Sequence, residues 1–561
     1  MSVNRKGETV RANRREFLKI SLGATALFLP MPFAWVWAQS EGAVKLLKAP
    51  KLALVVGNSR YKDAPELKNP ANDAKGIGET LEAAAFEVKT LLDAGREQLI
   101  GAIRDYVQAM EQKKAVGLFY FAGHGVQLAW RNYMLPIDAV IDKIDDVGKQ
   151  SVDIARLMEG LTKAGNPMNV IILDACRENP FGKDFRVKQK GLSQMDAPTR
   201  TILAYATSPG NVASDGDGAN GLYTENLLRE MKVPEAKIED VFKRVRLGVR
   251  RKTNGAQIPW ESTSLEEDFW FLPPKELREI SEAEKEQQFD AELALWEKVQ
   301  ESKEPAPLED YLRRYPSGRF SELAQLALDR VLARQGEKPI VVVSAKENPY
   351  SKGSVMADLR YKLGDTYSYR ELDLETKAEK RTFSLTVTDI RENEVVFDRG
   401  LILDLLGNLI QLPDGRRYTP RQDHPLEFAV GRRWTTRFSV SNDRTGKEAA
   451  LEAEFHISGK ERITVPAGTF DCYVVEGFAQ GLSPTGGRPE TRTRRWFAPD
   501  QVRRPIASET VRKVIINRKP KPGAGPPGGG FRRMPRAAPN LPPTERIEES
   551  TRMELVSFKQ G

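Results

Sequence analysis

Only three histidines and two cysteines occur in 561 residues, and one of each closes an apolar run. Val116 to Gly125 reads V-G-L-F-Y-F-A-G-H-G, and Asn169 to Arg177 reads N-V-I-I-L-D-A-C-R. Such runs predict strands buried on both faces. His124 and Cys176 are therefore expected at the carboxyl ends of two neighbouring strands, where α/β sheets collect reactive groups. The pair is a thiol and a base: a thiolate attacks, and an imidazole beside it lowers the thiol pKa and later protonates the leaving group. Gly123 and Gly125 predict a break on either side of His124 that lets the backbone approach a substrate. The amides of Gly125 and Cys176 are the candidate oxyanion donors. Taken singly, each residue also fits a core role, the histidine capping a strand and the cysteine serving as a small hydrophobe.

The surrounding pattern supplies the elements that must position this pair. Leu52 to Val56, Phe86 to Leu91 and Thr201 to Ala206 read as further strands. Helices are expected after Asn69-Pro70, where asparagine caps and proline opens the first turn, and on the apolar stripes Ile100 to Met110, Ile154 to Leu161 and Ile238 to Val245. Strands alternating with helices predict a parallel sheet with helices on both faces, a three-layer α/β sandwich built by right-handed crossovers. Glu178 to Arg200 interrupts the rhythm with Lys183, Arg186, Lys188 and Lys190 and reads as a solvated loop.

G-H-G after one apolar strand and D-A-C-R after the next resemble the caspase and metacaspase superfamily. Its histidine precedes its cysteine by about 50 residues, and here the separation is 176 − 124 = 52. Tyr205-Ala-Thr-Ser-Pro-Gly210 and Gly221-Leu-Tyr-Thr-Glu225 resemble its specificity loop and following helix. The resemblance runs from about Leu52 to Leu272. It implies a cysteine endopeptidase acting on a protein or peptide substrate, with His124 and Cys176 as a dyad whose imidazole is oriented by a backbone group. It also implies that the Glu178 to Arg200 loop joins the two parts of the catalytic unit and is open to cleavage. The chain departs from caspases at Asp174 and Glu178, where that family has glutamine and glycine. Asp215 falls where its specificity loop carries arginine, and Asp73 matches an acidic pocket position in metacaspases. Three carboxylates in one pocket favour lysine or arginine and repel aspartate. Asp73 in a helix's first turn and Asp215 in a glycine-rich loop are also ordinary places for aspartate. Two other readings remain open: a catalytically silent caspase-like scaffold, and a thiol hydrolase acting on non-peptide acyl groups.

The rest of the chain divides by composition. Residues 1–38 resemble a twin-arginine signal, Asn13-Arg-Arg-Glu-Phe-Leu-Lys19 ahead of an uncharged stretch, with a small-residue cleavage site at Val36-Trp-Ala38. Cleavage there would leave no membrane span and place the protein in the periplasm or outside the cell; a retained segment would be an anchor, since about 18 apolar residues can cross a bilayer. A caspase-like domain is expected over 50–272 and a helical hairpin spacer over 275–335. An all-β domain, sandwich or curved sheet, is expected over 348–515 from alternation such as Phe383, Leu385, Val387. A Pro/Gly-rich basic linker (519–545) and a last strand (546–561) follow. The β-rich part is expected to bind a partner protein or envelope component. A net charge of +8 from 86 basic and 78 acidic residues, without basic–aromatic runs, argues against nucleic acid. No cofactor is expected. Ser214-Asp-Gly-Asp-Gly218 has the look of a calcium loop but lacks the terminal glutamate, so a turn is the plainer reading. His424, His456 and Cys472 lack ligand spacing and read as structural.

Overall fold

The computed structural model describes residues 34–176, 192–208, 218–275, 277, 281–337, 348–442 without 352 and 392, 447–482, 487–516 and 544–561. The paired arginines, most of the basic linker and Asp215 lie outside the described residues, as does most of the charged loop after Cys176.

The first domain alternates as its sequence does. Helix α1 (Ala34–Lys48) leads into β1 (Lys51–Gly57), α2 (Pro70–Ala83), β2 (Glu87–Leu92), α3 (Arg96–Lys113) and β3 (Val116–Leu128). Then come β4 (Arg131–Met134), α4 (Ile144–Gln150), β5 (Val152–Asp153), α5 (Ile154–Ala164), β6 (Met168–Cys176), β7 (Thr201–Tyr205), α6 (Leu222–Glu230), α7 (Ile238–Lys252) and β8 (Trp260–Thr263). The main sheet has the order β2-β1-β3-β6-β7-β8, parallel except for β8 on one edge. No helix among the described residues is long and apolar enough to cross a membrane.

Strand parity explains the layers. Leu118, Tyr120 and Ala122 point to one face with Val170 and Ile172, where α2, α6 and α7 bring Ile77, Leu227 and Val245. Phe119 and Phe121 point to the other with Ile171 and Leu173, under Leu99 and Met110 of α3 and Leu157 of α5. Each such side chain, fully buried, contributes about 1.5–3 kcal/mol. Two such faces explain why β3 and β6 read as unbroken apolar runs.

Helices α8 (Glu282–Val299), α9 (Pro305–Arg314) and α10 (Ser321–Arg334) form a brace around Trp296, Tyr311 and Phe320. Arg250 of α7 pairs with Asp329 and Glu337, each at 2.6 Å, and Arg251 with Glu309 at 3.1 Å. On the far side Glu322 accepts from the amide of Leu426 at 2.5 Å and pairs with Arg432.

The β-rich part is not a sandwich but a curved sheet closed into a twelve-stranded barrel. Alternation tells which face of a strand is buried but not whether the first and last strands meet. Here Thr544–Lys559 pairs with Ala507–Ile516 on one side and Thr366–Asp373 on the other, and the sheet closes. Tyr367, Phe397, Val474 and Leu555 belong to one buried cluster of this domain, and Phe438, Phe455 and Ile457 to another. Arg462 and Asp471 form an ion pair on its solvent face at 2.7 Å.

Candidate active site

The site is built where β3 changes partners. Its parallel ladder with β6 runs from Val116↔Met168 to a last register pair, His124↔Cys176. From Gly125 onward β3 pairs instead with β4, Gly125 opposite Met134. The expected breaks beside His124 are thus absent: β3 continues to Leu128 and turns at Ala129 and Trp130, whose φ of +49° and +67° make a two-residue hairpin of the kind that suits strand twist. The backbone of Cys176 is described, while its side chain is not.

His124 is 5% exposed, and the loop after β1 holds it. Its amide donates to Tyr61 Oη at 2.8 Å, and the two rings lie 4.6 Å apart at 52°. Its Nε2 lies 2.8 Å from the carbonyl of Pro65. A carbonyl only accepts, so Nε2 carries the proton and the lone pair of the neutral ring is on Nδ1. That loop is pinned in turn. Asn58, fully buried, donates to the carbonyls of Ala94 (3.3 Å) and Leu135 (3.0 Å) and accepts from the amide of Ala94 at 2.9 Å. Asp93 accepts from the amides of Ser59 and Arg60 at 2.9 Å. Although burial opposes it, these bonds and the Arg60 guanidinium hold the Asp93 carboxyl below its usual range.

The flanking glycines admit the protein's own groups. Gly123 has φ +153°, and a Cβ there would overlap Tyr61 Oη. A Cβ on Gly125 would sit 2.9 Å from Ala175 Cβ and 3.2 Å from Leu192 Cδ2. The expectation that both serve substrate approach misses this packing, because spacing alone cannot say what fills the room.

Two of the three expected pocket carboxylates are brought together. Asp174, half-buried, accepts from Thr224 Oγ1 at 2.6 Å and from Tyr120 Oη at 3.4 Å. Asp73, 2% exposed, accepts from Asn220 Nδ2 and from the amide of Gly221, both at 2.9 Å. Gly221 is the N-cap of α6, so Asp73 on α2 satisfies a helix-start donor of another helix and complements its dipole. Burial, then the charges of Asp174 and Asp73, push the Tyr120 hydroxyl well above its ordinary pKa. Asp215 lies outside the described residues. Tyr61, Pro65, Tyr120 and Thr224 carry no spacing signal; a tyrosine in a polar loop and a threonine in a helix's first turn are unremarkable in sequence.

The other titratable candidates stand apart. Cys472 is fully buried and its thiol is pushed up to about 12, which leaves it unreactive. His456 Nε2 lies 3.3 Å from Glu476. Among the described residues no group of three or more histidine, cysteine or carboxylate side chains is arranged to hold a metal ion.

Sheet order and helix placement define a caspase-like α/β domain, and residues 50–270 match the family model of the caspase domain. Over 190 residues the chain is 27% identical to mucosa-associated lymphoid tissue lymphoma translocation protein 1 of Homo sapiens, covering 33% of this chain and 22% of that protein. Its homolog in Mus musculus matches with the same identity and coverage. The chain therefore spans about a fifth of the length of these curated relatives. This likeness supports a function of the cysteine-peptidase type for residues 50–270.

Proposed function

We propose that the protein is a cysteine endopeptidase that uses His124 and Cys176 as a dyad and cuts after arginine or lysine. The observation that carries this reading is the last register pair of β3 and β6, together with the Pro65 carbonyl that fixes the imidazole tautomer. His124 Nδ1 takes the proton of the Cys176 thiol, the thiolate attacks the scissile carbonyl carbon, and the oxyanion is held by the amides of Cys176 and Gly125. As the C–N bond breaks, His124 Nδ1 gives its proton to the leaving amine. Water then attacks the acyl-enzyme as His124 Nδ1 takes its proton, and collapse releases the acid and restores the Cys176 thiolate beside the protonated His124. Asp73 and Asp174, two carboxylates at one helix start, and Asp215 supply the negative charge that a basic side chain would meet. The lysines and arginine between Glu178 and Arg200 make that loop the enzyme's own first substrate. The barrel binds a partner protein or envelope component. The paired Arg14 and Arg15 direct export of the folded chain, with removal of the segment before Gln39.

The experiment is a cleavage-site profile of the purified protein on a peptide library, beside Cys176→Ala. Turnover after arginine or lysine that vanishes in the variant is expected. Equal turnover by the variant removes the dyad, and turnover of thioesters alone replaces the endopeptidase with a thiol hydrolase.

A further inference from the structure

The four residues that resume after the charged loop, Leu192, Ser193, Gln194 and Met195, are all buried, with exposures of 1 to 6%. They belong to a stretch that the sequence predicts to be solvated. Two sets of partners hold them. One is the hairpin of the histidine strand. Asn132 Nδ2 donates to the Ser193 carbonyl at 2.9 Å, and its Oδ1 accepts from the Ser193 amide at 2.7 Å. Ser193 Oγ donates to the Trp130 carbonyl at 2.7 Å. Leu192 packs over Gly125, one residue beyond His124.

The other set comes from more than 150 residues downstream, at the entrance to the barrel. Asn348 Nδ2 donates to the Gln194 carbonyl at 2.6 Å, the Asp196 amide to the Tyr350 carbonyl at 3.1 Å, and Ser351 Oγ to Asp196 Oδ1 at 2.7 Å. The Tyr350 ring packs into the core layer that contains Leu192, Met195 and Ala175. Its hydroxyl accepts from Arg131 Nε at 2.7 Å, and Arg131 also pairs with Asp153 at 2.6 Å. Asn348 Oδ1 accepts from the Tyr350 amide at 2.9 Å, which sets this short segment's own shape. The barrel end is tied as well, since Tyr473 Oη donates to the Gly353 carbonyl at 3.0 Å.

We propose that Asn348–Ser351 is a positioning element of the active site. Supplied from the barrel's side of the chain, it clamps Leu192–Asp196 against the hairpin of the histidine strand and so completes the peptidase domain's site. A surface linker would need none of this. Its polar groups would be met by water, whereas Asn348 and Ser351 are only 6 and 9% exposed and both side chains donate to one partner segment. What is positioned rests on the dyad reading above; that the clamp exists does not.

The test uses the full chain with Asn348→Asp, Ser351→Ala, both together, and Tyr350→Phe. Asn348→Asp keeps the acceptor for the Tyr350 amide and sets a carboxylate oxygen in place of the donor to Gln194. Tyr350→Phe keeps the ring and removes only the Arg131 bond. Three readouts are taken: hydrogen exchange at 193–197 and 125–127, the pH dependence of Cys176 alkylation by iodoacetamide, and kcat and KM on the best peptide. The double variant should exchange about tenfold faster in both segments, as expected for loss of one or two buried hydrogen bonds. Its alkylation midpoint should move towards an ordinary thiol's, and kcat should fall about tenfold with KM within about twofold. Tyr350→Phe should retain most of the wild-type protection. Unchanged exchange and midpoint, with or without a fall in Tm, overturn the proposal. If exchange and midpoint respond while the wild type cleaves no peptide, the clamp stands and the peptidase reading falls.

Discussion

His124 and Cys176 are the last register pair of the ladder between β3 and β6, and the residue after His124 already belongs to another hairpin. The pair therefore sits where two parallel strands part, and adjacent strands in such a sheet run about 4.8 Å apart. A backbone relationship of this kind needs no flexible loop to bring the two residues together. Both are placed by strands whose neighbouring residues are buried on both faces, and a mutation elsewhere in those strands disturbs the pair only by slipping the register.

Groups held as one unit fail as one unit. His124→Ala and Cys176→Ala should each lower kcat by about a thousandfold or more, and the double variant should be scarcely worse than either single one. Single-turnover peptide hydrolysis measures all three. Losses that multiply across the two sites would mean that the residues act separately and would break the dyad.

Gly123 offers a second check, because its requirement is set by one neighbour. A Cβ at this position would overlap Tyr61 Oη, at a φ of +153° that L side chains rarely adopt. Gly123→Ala should abolish activity. Adding Tyr61→Phe removes the overlapping oxygen and leaves Phe121 Cζ, 3.1 Å away, as the nearest remaining contact. The pair Gly123→Ala/Tyr61→Phe should regain about tenfold of the lost kcat, less than the full loss because the backbone strain persists and the His124 amide loses its Tyr61 acceptor. A double variant no better than Gly123→Ala would show that Tyr61 does not set the room above this glycine.

These contacts also mark where the sequence stopped being readable. The apolar runs, the 52-residue spacing and the strand–helix alternation are local signals, and they locate β3, β6 and the layers around them. Tyr61 and Pro65 reach His124 only because Asn58 and Asp93 pin the loop between β1 and α2. That arrangement joins residues 58, 94 and 135, and no periodicity records it. The buried stretch from Leu192 was hidden for a related reason. The lysines and arginine ahead of it read as a solvated loop, while what buries it, Asn348 to Ser351, lies far along the chain. Barrel closure depends on Thr366–Asp373 meeting Thr544–Lys559, which alternation within either strand cannot disclose.

The proposed specificity for basic side chains rests on two carboxylates at the start of α6. Asp174→Asn keeps an oxygen to accept from Thr224 and removes one charge; Asp73→Asn does the same for Gly221. A hydrogen bond to a charged group is worth about 1.5–3 kcal/mol, so each change should cost about ten- to a hundredfold in kcat/KM on arginine and lysine peptides. Thr224→Val, which leaves both charges in place, should cost less. Matched peptides ending in arginine, lysine and aspartate measure this. A wild-type preference for aspartate, or basic-peptide turnover untouched by both asparagine variants, would exclude the pocket.

The barrel carries two titrating groups whose effects on stability oppose each other. Burial, then the Arg495 cation, bring His424 down to about 3, with Asp423 pulling the other way and Arg504 and Arg421 adding to the fall. Burial raises Asp404 to about 7, although Asn408 donates to it twice and pulls the other way; the charge of Asp423 adds to the rise. Between about pH 3 and 6.5 the unfolded histidine binds a proton that folded His424 refuses, so its contribution to stability is lost as pH falls through that window. Between about pH 3.8 and 7 folded Asp404 keeps a proton that the unfolded carboxyl releases, so its contribution is lost as pH rises. Each slope reaches at most about 1.4 kcal/mol per pH unit, and over the shared window the two cancel. His424→Gln should therefore make stability fall with rising pH relative to wild type, and Asp404→Asn should make it rise. Urea unfolding followed by tryptophan fluorescence, at half-unit steps from about pH 4 to 6.5, measures both against wild type. The constant offset from lost contacts is irrelevant, because only the slope carries the test. Curves for both variants that run parallel to the wild type would show that neither group titrates out of its ordinary range.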